Sequence, residues 1–543
     1  MDNSSAAAFL SVPPFPGSHS AALSRPSTGQ PRIAQDDLDR LTRRIRELKV
    51  GGAYWAAQPP LPDGRFVLLR VRDAAQRADI EAQLNSRPVV WVDAHWQAAP
   101  RSESAGRITG PCDPWHMLSG AAEYVTDLDD DVALVAALMG IALRFTGKRG
   151  DSNPSFLRER LRATAELAHS DPFTGEPIGF GDAVELCGFW RTLIDSNRDI
   201  GAAFGFASWK RQTVAPLLWG GRPVPFASSV APLRPGERAV AWKSRTRPAV
   251  LGKLELANGG ATEVEDGFIR SVGLGANCVP PLSIVVDRLG IYFDPRRPSD
   301  LEQILQEGEF SADLLQRARA LRELIVELGI SKYAVGAPPL QRLGNGKRHV
   351  LVVGQVDDDR AVVGGGGPAS SLELLRRVRE ANPEAYIIYK PHPDVEAGHR
   401  LGSIPGDVAL SIASEVVPDA PMSSLIDAVD EVHVNTSLAG FEALLRGKPV
   451  TTYGVPFYAG WGLTRDLGPI AERRTARRTL DELVAGALLL YPRYLDPVTG
   501  IPCPPEILIR RLAEGATPAD GLLVRLRRLQ GNLKRGIAAA TAR

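Results

Sequence analysis

The chain has 543 residues, 44% hydrophobic and 23% charged, with a formal net charge of +1 at pH 7. That length exceeds one ordinary hydrophobic core and implies roughly two to four domains of a soluble globular protein. The near-neutral balance argues against a dedicated nucleic-acid binder, which carries a strong basic excess. Four scattered cysteines, Cys112, Cys187, Cys278 and Cys503, form no CxxC pair; neither a disulfide framework nor a zinc site is implied, and a reducing cytoplasm fits best.

In chain order, residues 1–35 are rich in Ser, Pro and Ala and are expected to be disordered. No basic stretch precedes AAAFL, so no secretory signal is expected. Residues 36–195 are globular but poor in motifs. LNSRPVVWVDA holds a strand, Asp129 to Arg144 has a helical pattern, and Val132 to Phe145 is too short for a membrane span and reads as a buried helix. His116–Gly147 can be laid without gaps on Ser423–Gly454, with Leu118, Ala121, Val125, Ala136, Leu138, Gly140 and Gly147 falling on identical residues. DPFTGEP at Asp171 echoes DPVTGIP at Asp496. The first stretch is therefore read as a degenerate half-copy of the second, in which Asp130 faces Ser437 and Val135 faces Glu442.

A fresh module starts near Ala202. Ala239 to Ser244 is its first strand, and ATEVEDG is a strand ending in two acids. Ser283 to Asp294 is expected to be a β-hairpin, and Ser311 to Gly329 a long helix. After a Gly- and Pro-containing linker, strands and helices alternate: HVLVVGQV, the helix from Ser370, AYIIYK, DVALSIA as a further strand, the helix from Met422, then EVHVN, a helix and Lys448 to Gly454. Such alternation implies a parallel, doubly wound sheet. Polar clusters close most of its strands, where ligands of such sheets bind.

Lys390 and His392, with a helix start capped by Thr436 and Ser437, make a prospective anion site. Glu442 could accept from ribose hydroxyls or simply face solvent. Asp357, Asp358 and Asp359 suit a metal, a solvated turn or a catalytic carboxylate. Glu265 and Asp266 suit a general acid/base facing the nucleotide site, as glycosyl transfer needs. GxxxxGK[ST], GxSxG, HExxH and a post-strand GxGxxG are all absent, and the Gly364–Gly367 run is read as a flexible loop.

EDGFIRSVGLG, GQVDDD, YKPHPDV, NTSLAGFEALLRGKPV and PFYAGWGLT, in that order across roughly residues 200 to 515, resemble the capsule-polysaccharide β-Kdo transferases of the KpsC-like family. The resemblance implies an α/β, GT-B-like fold of two Rossmann-like lobes with a cleft between them, preceded by the degenerate half-module. The divisions are 1–35 (disordered), 36–195 (half-module), 196–335 (acceptor-side lobe), 336–515 (nucleotide-sugar lobe) and 516–543 (basic amphipathic tail). It implies CMP-Kdo as donor substrate with no cofactor and no metal. It also implies a glycolipid acceptor at the cytoplasmic face of the inner membrane, peripheral attachment there, other capsule assembly proteins as partners, and no nucleic acid. The expected nucleophile of a retaining reaction is Asp359, with Glu265 or Asp266 as acid/base. The expected donor-binding residues are Gln355, Lys390, His392, Thr436, Ser437, Glu442, Arg270 and Ser271. Relatives of this kind often carry two complete transferase modules, whereas this chain has one and a remnant, so a single kind of Kdo linkage is expected. Two other readings stay open: a CMP-sialic acid or other CMP-ulosonic acid transferase of the same fold, and a non-catalytic scaffold. Leucines from Leu522 to Leu533 among arginines suit an anionic membrane surface or a helix packed on a lobe.

Overall fold

The computed structural model describes residues 9–19, 23–25, 33–84, 87–92, 106–146, 154–229, 233–258, 260–270, 279–331, 340, 346–396 and 402–516. Ser271 and, beyond residue 516, the basic tail lie outside the described residues. The chain divides into two compact units, Met1–Asp199 with Leu218–Val224, and Ile200–Leu217 with Pro225–Arg543.

The first unit is built on a five-stranded parallel sheet of β1 (Phe66–Arg70), β2 (Val89–Val92), β3 (Gly106–Ile108), β4 (Ala121–Thr126) and β5 (Ala142–Phe145), in the order β3-β2-β1-β4-β5. Its central strand, FVLLR, has four fully buried residues in a row, as a strand covered on both faces requires. The expected continuous helix over Val132–Phe145 is a helix followed by a strand. Helix α1 (Val132–Met139) stops at Gly140, whose φ of +74° suits glycine, and the chain turns back as β5. An unbroken aliphatic run does not distinguish the two states. Residues 9–19 and 23–25, expected to be disordered, are packed: Phe9, Leu10 and Phe15 are buried, and the Phe15 ring meets Trp219 edge-on at 5.1 Å. A few large apolar side chains outweigh the Ser- and Pro-rich composition around them.

The gap-free register between the two halves of the sequence sets α1 on the helix Ala439–Leu445, with Val132 falling on Ala439, and sets β5 on Val450–Thr452. The two DP-TG turns share their hydrogen bonds: Asp171 N donates to Glu176 O and Gly175 N to Asp171 O, as Asp496 N donates to Ile501 O and Gly500 N to Asp496 O.

The second unit carries two sheets. Its seven-stranded sheet comprises β6 (Ile200–Phe204), β7 (Phe226–Ala227), β8 (Arg238–Ala241), β9 (Ala261–Asp266) and β10 (Ser283–Asp287), with two strands from far along the chain, Pro492–Leu495 and Pro502–Cys503. The order is β7-β6-β8-β9-β10 followed by those two. It is parallel as far as β9 and antiparallel beyond. The expected hairpin over Ser283–Asp294 forms only its first strand. The Asp287 carboxylate accepts from the backbone N–H groups of Leu289, Gly290 and Asp300 and from the Tyr491 hydroxyl at 2.6 Å, which bends the chain away from the sheet.

The six-stranded sheet is wholly parallel: β11 (His349–Val353), β12 (Tyr386–Lys390), β13 (Glu415–Val416), β14 (Glu431–Val434), β15 (Val450–Thr452) and β16 (Arg465–Asp466), ordered β13-β12-β11-β14-β15-β16. Its first five strands share their order with the sheet of the first unit. DVALSIA, expected as a strand, lies in a helix over Gly406–Ile412, because Ala409 and Ala413, four residues apart, share the buried face. Gly364–Gly367 is no slack loop. A Cβ on Gly367 would collide with Asn435 Oδ1 and lie 2.8 Å from Gly454 Cα, and Val455 N donates to Gly365 O.

Candidate active site

The carboxyl ends of β11, β12 and β14 and the end of β9 line one cavity of about 720 Å³ in the second unit. Of the residues singled out from sequence, Glu265, Asp266, Gln355, Asp359, Lys390, His392, Thr436, Ser437 and Glu442 all line it. Arg270 instead lines an adjoining cavity of about 730 Å³, which shares Ser244, Arg245, Glu265 and Asp266 with the first.

β12 runs straight into Lys390-Pro391-His392-Pro393. Lys390 is buried, its ammonium donates to Pro418 O, and burial pulls its pKa below the ordinary lysine value. Gln355, just past β11, reaches across to β14: Thr436 N donates to Gln355 Oε1 at 2.8 Å and Gln355 Nε2 to Thr436 Oγ1 at 3.1 Å. Thr436 is thereby committed to Gln355 and does not cap the helix. The helix spans only Ala439–Leu445, its cap position is Leu438, and Ser437 Oγ accepts from Ala439 N at 3.3 Å. Glu442, on that helix, is buried rather than solvent-facing.

The three consecutive acids part company, as adjacent side chains must. Asp357 accepts from Ser371 N at 3.2 Å and steadies the helix Ser371–Ala381. Asp358 and Asp359 line the cavity; Asp359 is exposed and accepts from Ala361 N at 2.9 Å. Among the described residues no group of three or more His, Cys, Asp or Glu is placed to hold a metal ion together.

Opposite them, Glu265 is 15% exposed, and its carboxyl is pushed up to about 8. Burial is the largest cause. The Asp266 and Glu263 carboxylates add to it and outweigh Lys210 and Arg360, which act the other way. Asp266 accepts from Arg270 Nε at 2.9 Å and lies 3.5 Å from Lys210 Nζ.

Three residues that the sequence did not single out belong here. Arg360, directly after the acid triplet, reaches from the six-stranded half to the seven-stranded half, 2.8 Å from Glu263 and 3.5 Å from Glu265. Glu263 itself is buried between Arg360 and Lys243. Lys210 sits 3.1 Å from the Trp242 ring centroid. Local pattern carries no sign of Lys210; Arg360 was detectable only as a cation beside three acids.

In the first unit the corresponding strand end is filled by its own side chains. Asp130, aligned with Ser437, is buried and accepts from Arg70 at 2.8 Å, Tyr124 at 3.0 Å and Val132 N at 2.7 Å.

A family model described as capsule polysaccharide biosynthesis protein matches residues 257–335 and 333–494. The chain is 35% identical to the solved KpsC β-Kdo 2,4 transferase of Thermosulfurimonas dismutans, with a TM-score of 0.50, covering 57% of this chain and 98% of that one. The chain belongs to the KpsC-like capsule polysaccharide family. Other members of the family include the capsule polysaccharide modification protein LipA of Neisseria meningitidis serogroup A, 41% identical over 387 residues, 69% of this chain and 53% of the relative. The lipopolysaccharide-processing protein LpsZ of Rhizobium meliloti is 48% identical over 281 residues, 48% of this chain and 63% of the relative. The chain thus spans about half the length of the LipA relative. No helix among the described residues of this KpsC-like chain is long and apolar enough to cross a membrane.

Proposed function

We propose that this chain is a GT-B glycosyltransferase that moves Kdo from CMP-Kdo to a lipid-linked acceptor, forming β-Kdo linker of a capsular polysaccharide. One observation carries the reading: a single cavity in which Lys390, His392, Ser437 and Glu442 face Glu265 and Asp266. Its similarity to a β-Kdo 2,4 transferase supports the choice of sugar. Lys390 and His392 bind the donor phosphate or sugar carboxylate, Ser437 and Glu442 hold the nucleotide, and Gln355 and Thr436 fix the strand ends around it.

Retention of the β configuration takes two displacements. A carboxylate oxygen of Asp359 bonds to C2 of Kdo as the C2–O bond to phosphate breaks and CMP leaves. The acceptor hydroxyl then bonds to C2 as the Asp359 ester bond breaks, and its proton passes to Glu265. The Asp266 carboxylate, bound by Lys210 and Arg270, stands beside Glu265 and raises its pKa, which makes Glu265 a stronger base. The protein works at the cytoplasmic face of the inner membrane, attached peripherally, beside other capsule assembly proteins.

The test is purified protein with CMP-Kdo and a synthetic Kdo-terminated glycolipid in EDTA. The expected result is CMP release with a product one Kdo heavier by mass spectrometry and a β linkage by NMR. Turnover only after adding Mg²⁺ would return the Asp358–Asp359 pair to a metal-binding role. Turnover with CMP-sialic acid but none with CMP-Kdo would change the donor.

A further inference from the structure

The adjoining cavity is lined by five cations, Lys210, Arg211, Arg245, Arg247 and Arg270, against two carboxylates, Glu265 and Asp266. Arg270 and Lys210 both lie against Asp266, which leaves Arg211, Arg245 and Arg247 as excess positive charge. All three are exposed, and among the described residues neither Arg245 nor Arg247 has an ion pair. Their placement follows from the sheet: Lys210 and Arg211 start the helix after β6, while Arg245 and Arg247 follow β8, so both pairs stand at carboxyl ends of parallel strands. The cavity also holds indole surface. Trp209 and Trp242 line it, and Lys210 Nζ lies over the Trp242 ring. Cations together with flat aromatic faces and hydroxyls such as Ser228 and Thr246 are the chemistry that holds an anionic sugar.

Glu265 and Asp266 stand on the wall shared with the first cavity. A sugar seated here has its anionic group among the arginines and a hydroxyl at the proposed proton acceptor. We infer that Arg211, Arg245 and Arg247 form an acceptor subsite for an anionic group, the carboxylate of a terminal sugar acid, and so select acidic over neutral acceptors. The inference rests on the transferase reading for the naming of the sugar; the anion preference stands on the side chains alone. A lipid phosphate offers the same chemistry, and the experiment separates the two sources.

The probes are the methyl β-glycoside of Kdo, its C1 carboxamide and glycerol 1-phosphate, each titrated calorimetrically into the full chain and into a variant carrying Arg211→Ala and Arg247→Ala. These two arginines line only the second cavity, so CMP titrated into both proteins serves as the check that the variant is folded. The expected result is a Kd for the glycoside that rises about tenfold or more in the variant, with the carboxamide weak on both proteins. Binding of glycerol 1-phosphate alone, lost in the variant, keeps the anion subsite and assigns it to lipid phosphate. Equal affinity of both proteins for both anions, with CMP binding retained, overturns it. A wild-type protein that binds the glycoside through these arginines yet transfers nothing from CMP-Kdo would defeat the donor assignment and leave the subsite standing.

Discussion

Glu265→Gln is the most informative single perturbation. The wild-type carboxyl titrates near 8, so about one tenth of it is ionised at pH 7 and about nine tenths at pH 9. If the ionised form takes the acceptor proton, kcat/KM for the glycolipid rises about tenfold across that interval and then levels. The sign follows from the raised pKa: below about 8 the group carries its proton and accepts none. Removing the carboxylate costs about 10²- to 10⁴-fold in transfer and abolishes the alkaline rise. Lys210 titrates in the same range, which makes loss of the rise in the Gln variant the deciding result. Arg360→Ala removes a cation 3.5 Å from Glu265 and moves the midpoint alkaline by about one pH unit. The assay is CMP release from CMP-Kdo at saturating donor between pH 6 and 9.5, with product checked by mass spectrometry. A flat profile, or a Gln variant with more than half of wild-type transfer, refutes the assignment.

Asp359→Asn is expected to lower transfer roughly a thousandfold or more while CMP affinity stays within about threefold, measured by kinetics and calorimetry. Gly367→Ala drives a Cβ against Asn435 and the Gly454 backbone and should cost about 2 kcal/mol in chemical denaturation. Asp130→Ser, which gives the first unit the residue that the second has, leaves Arg70 without its buried partner. It should destabilise by about 3 kcal/mol and restore no donor binding.

Sequence alone carried the four central strands of the six-stranded sheet, because buried parallel strands read as β-branched runs separated by helices, each ending in a polar cluster; the two-residue outer strands β13 and β16 are too short to leave such a pattern. The candidate residues Gln355, Lys390, His392 and Ser437 follow from that pattern directly. Long-range pairing left no local mark: neither β10 beside Pro492–Leu495 nor Arg360 beside Glu263 appears in any window of sequence. The expected hairpin failed for a related reason, since Asp287 takes its partners from Asp300 and Tyr491 rather than from a neighbouring strand. Short aliphatic stretches such as Val132–Phe145 and DVALSIA were ambiguous because their burial depends on what packs against them.

Two strands from late in the chain complete the seven-stranded sheet. Pro492–Leu495 pairs with β10, which pairs with β9, the strand that ends in Glu265 and Asp266. Ser283 lies opposite Tyr494, and the Tyr491 hydroxyl is bound to Asp287. A deletion beginning at Tyr491 is therefore peripheral only in residue number. It would expose the flank of β10 as an unpaired edge immediately beside the strand that ends in Glu265 and Asp266. The sheet that carries those acids is finished only after all six strands of the parallel sheet have been threaded, so its folding is committed late in the chain.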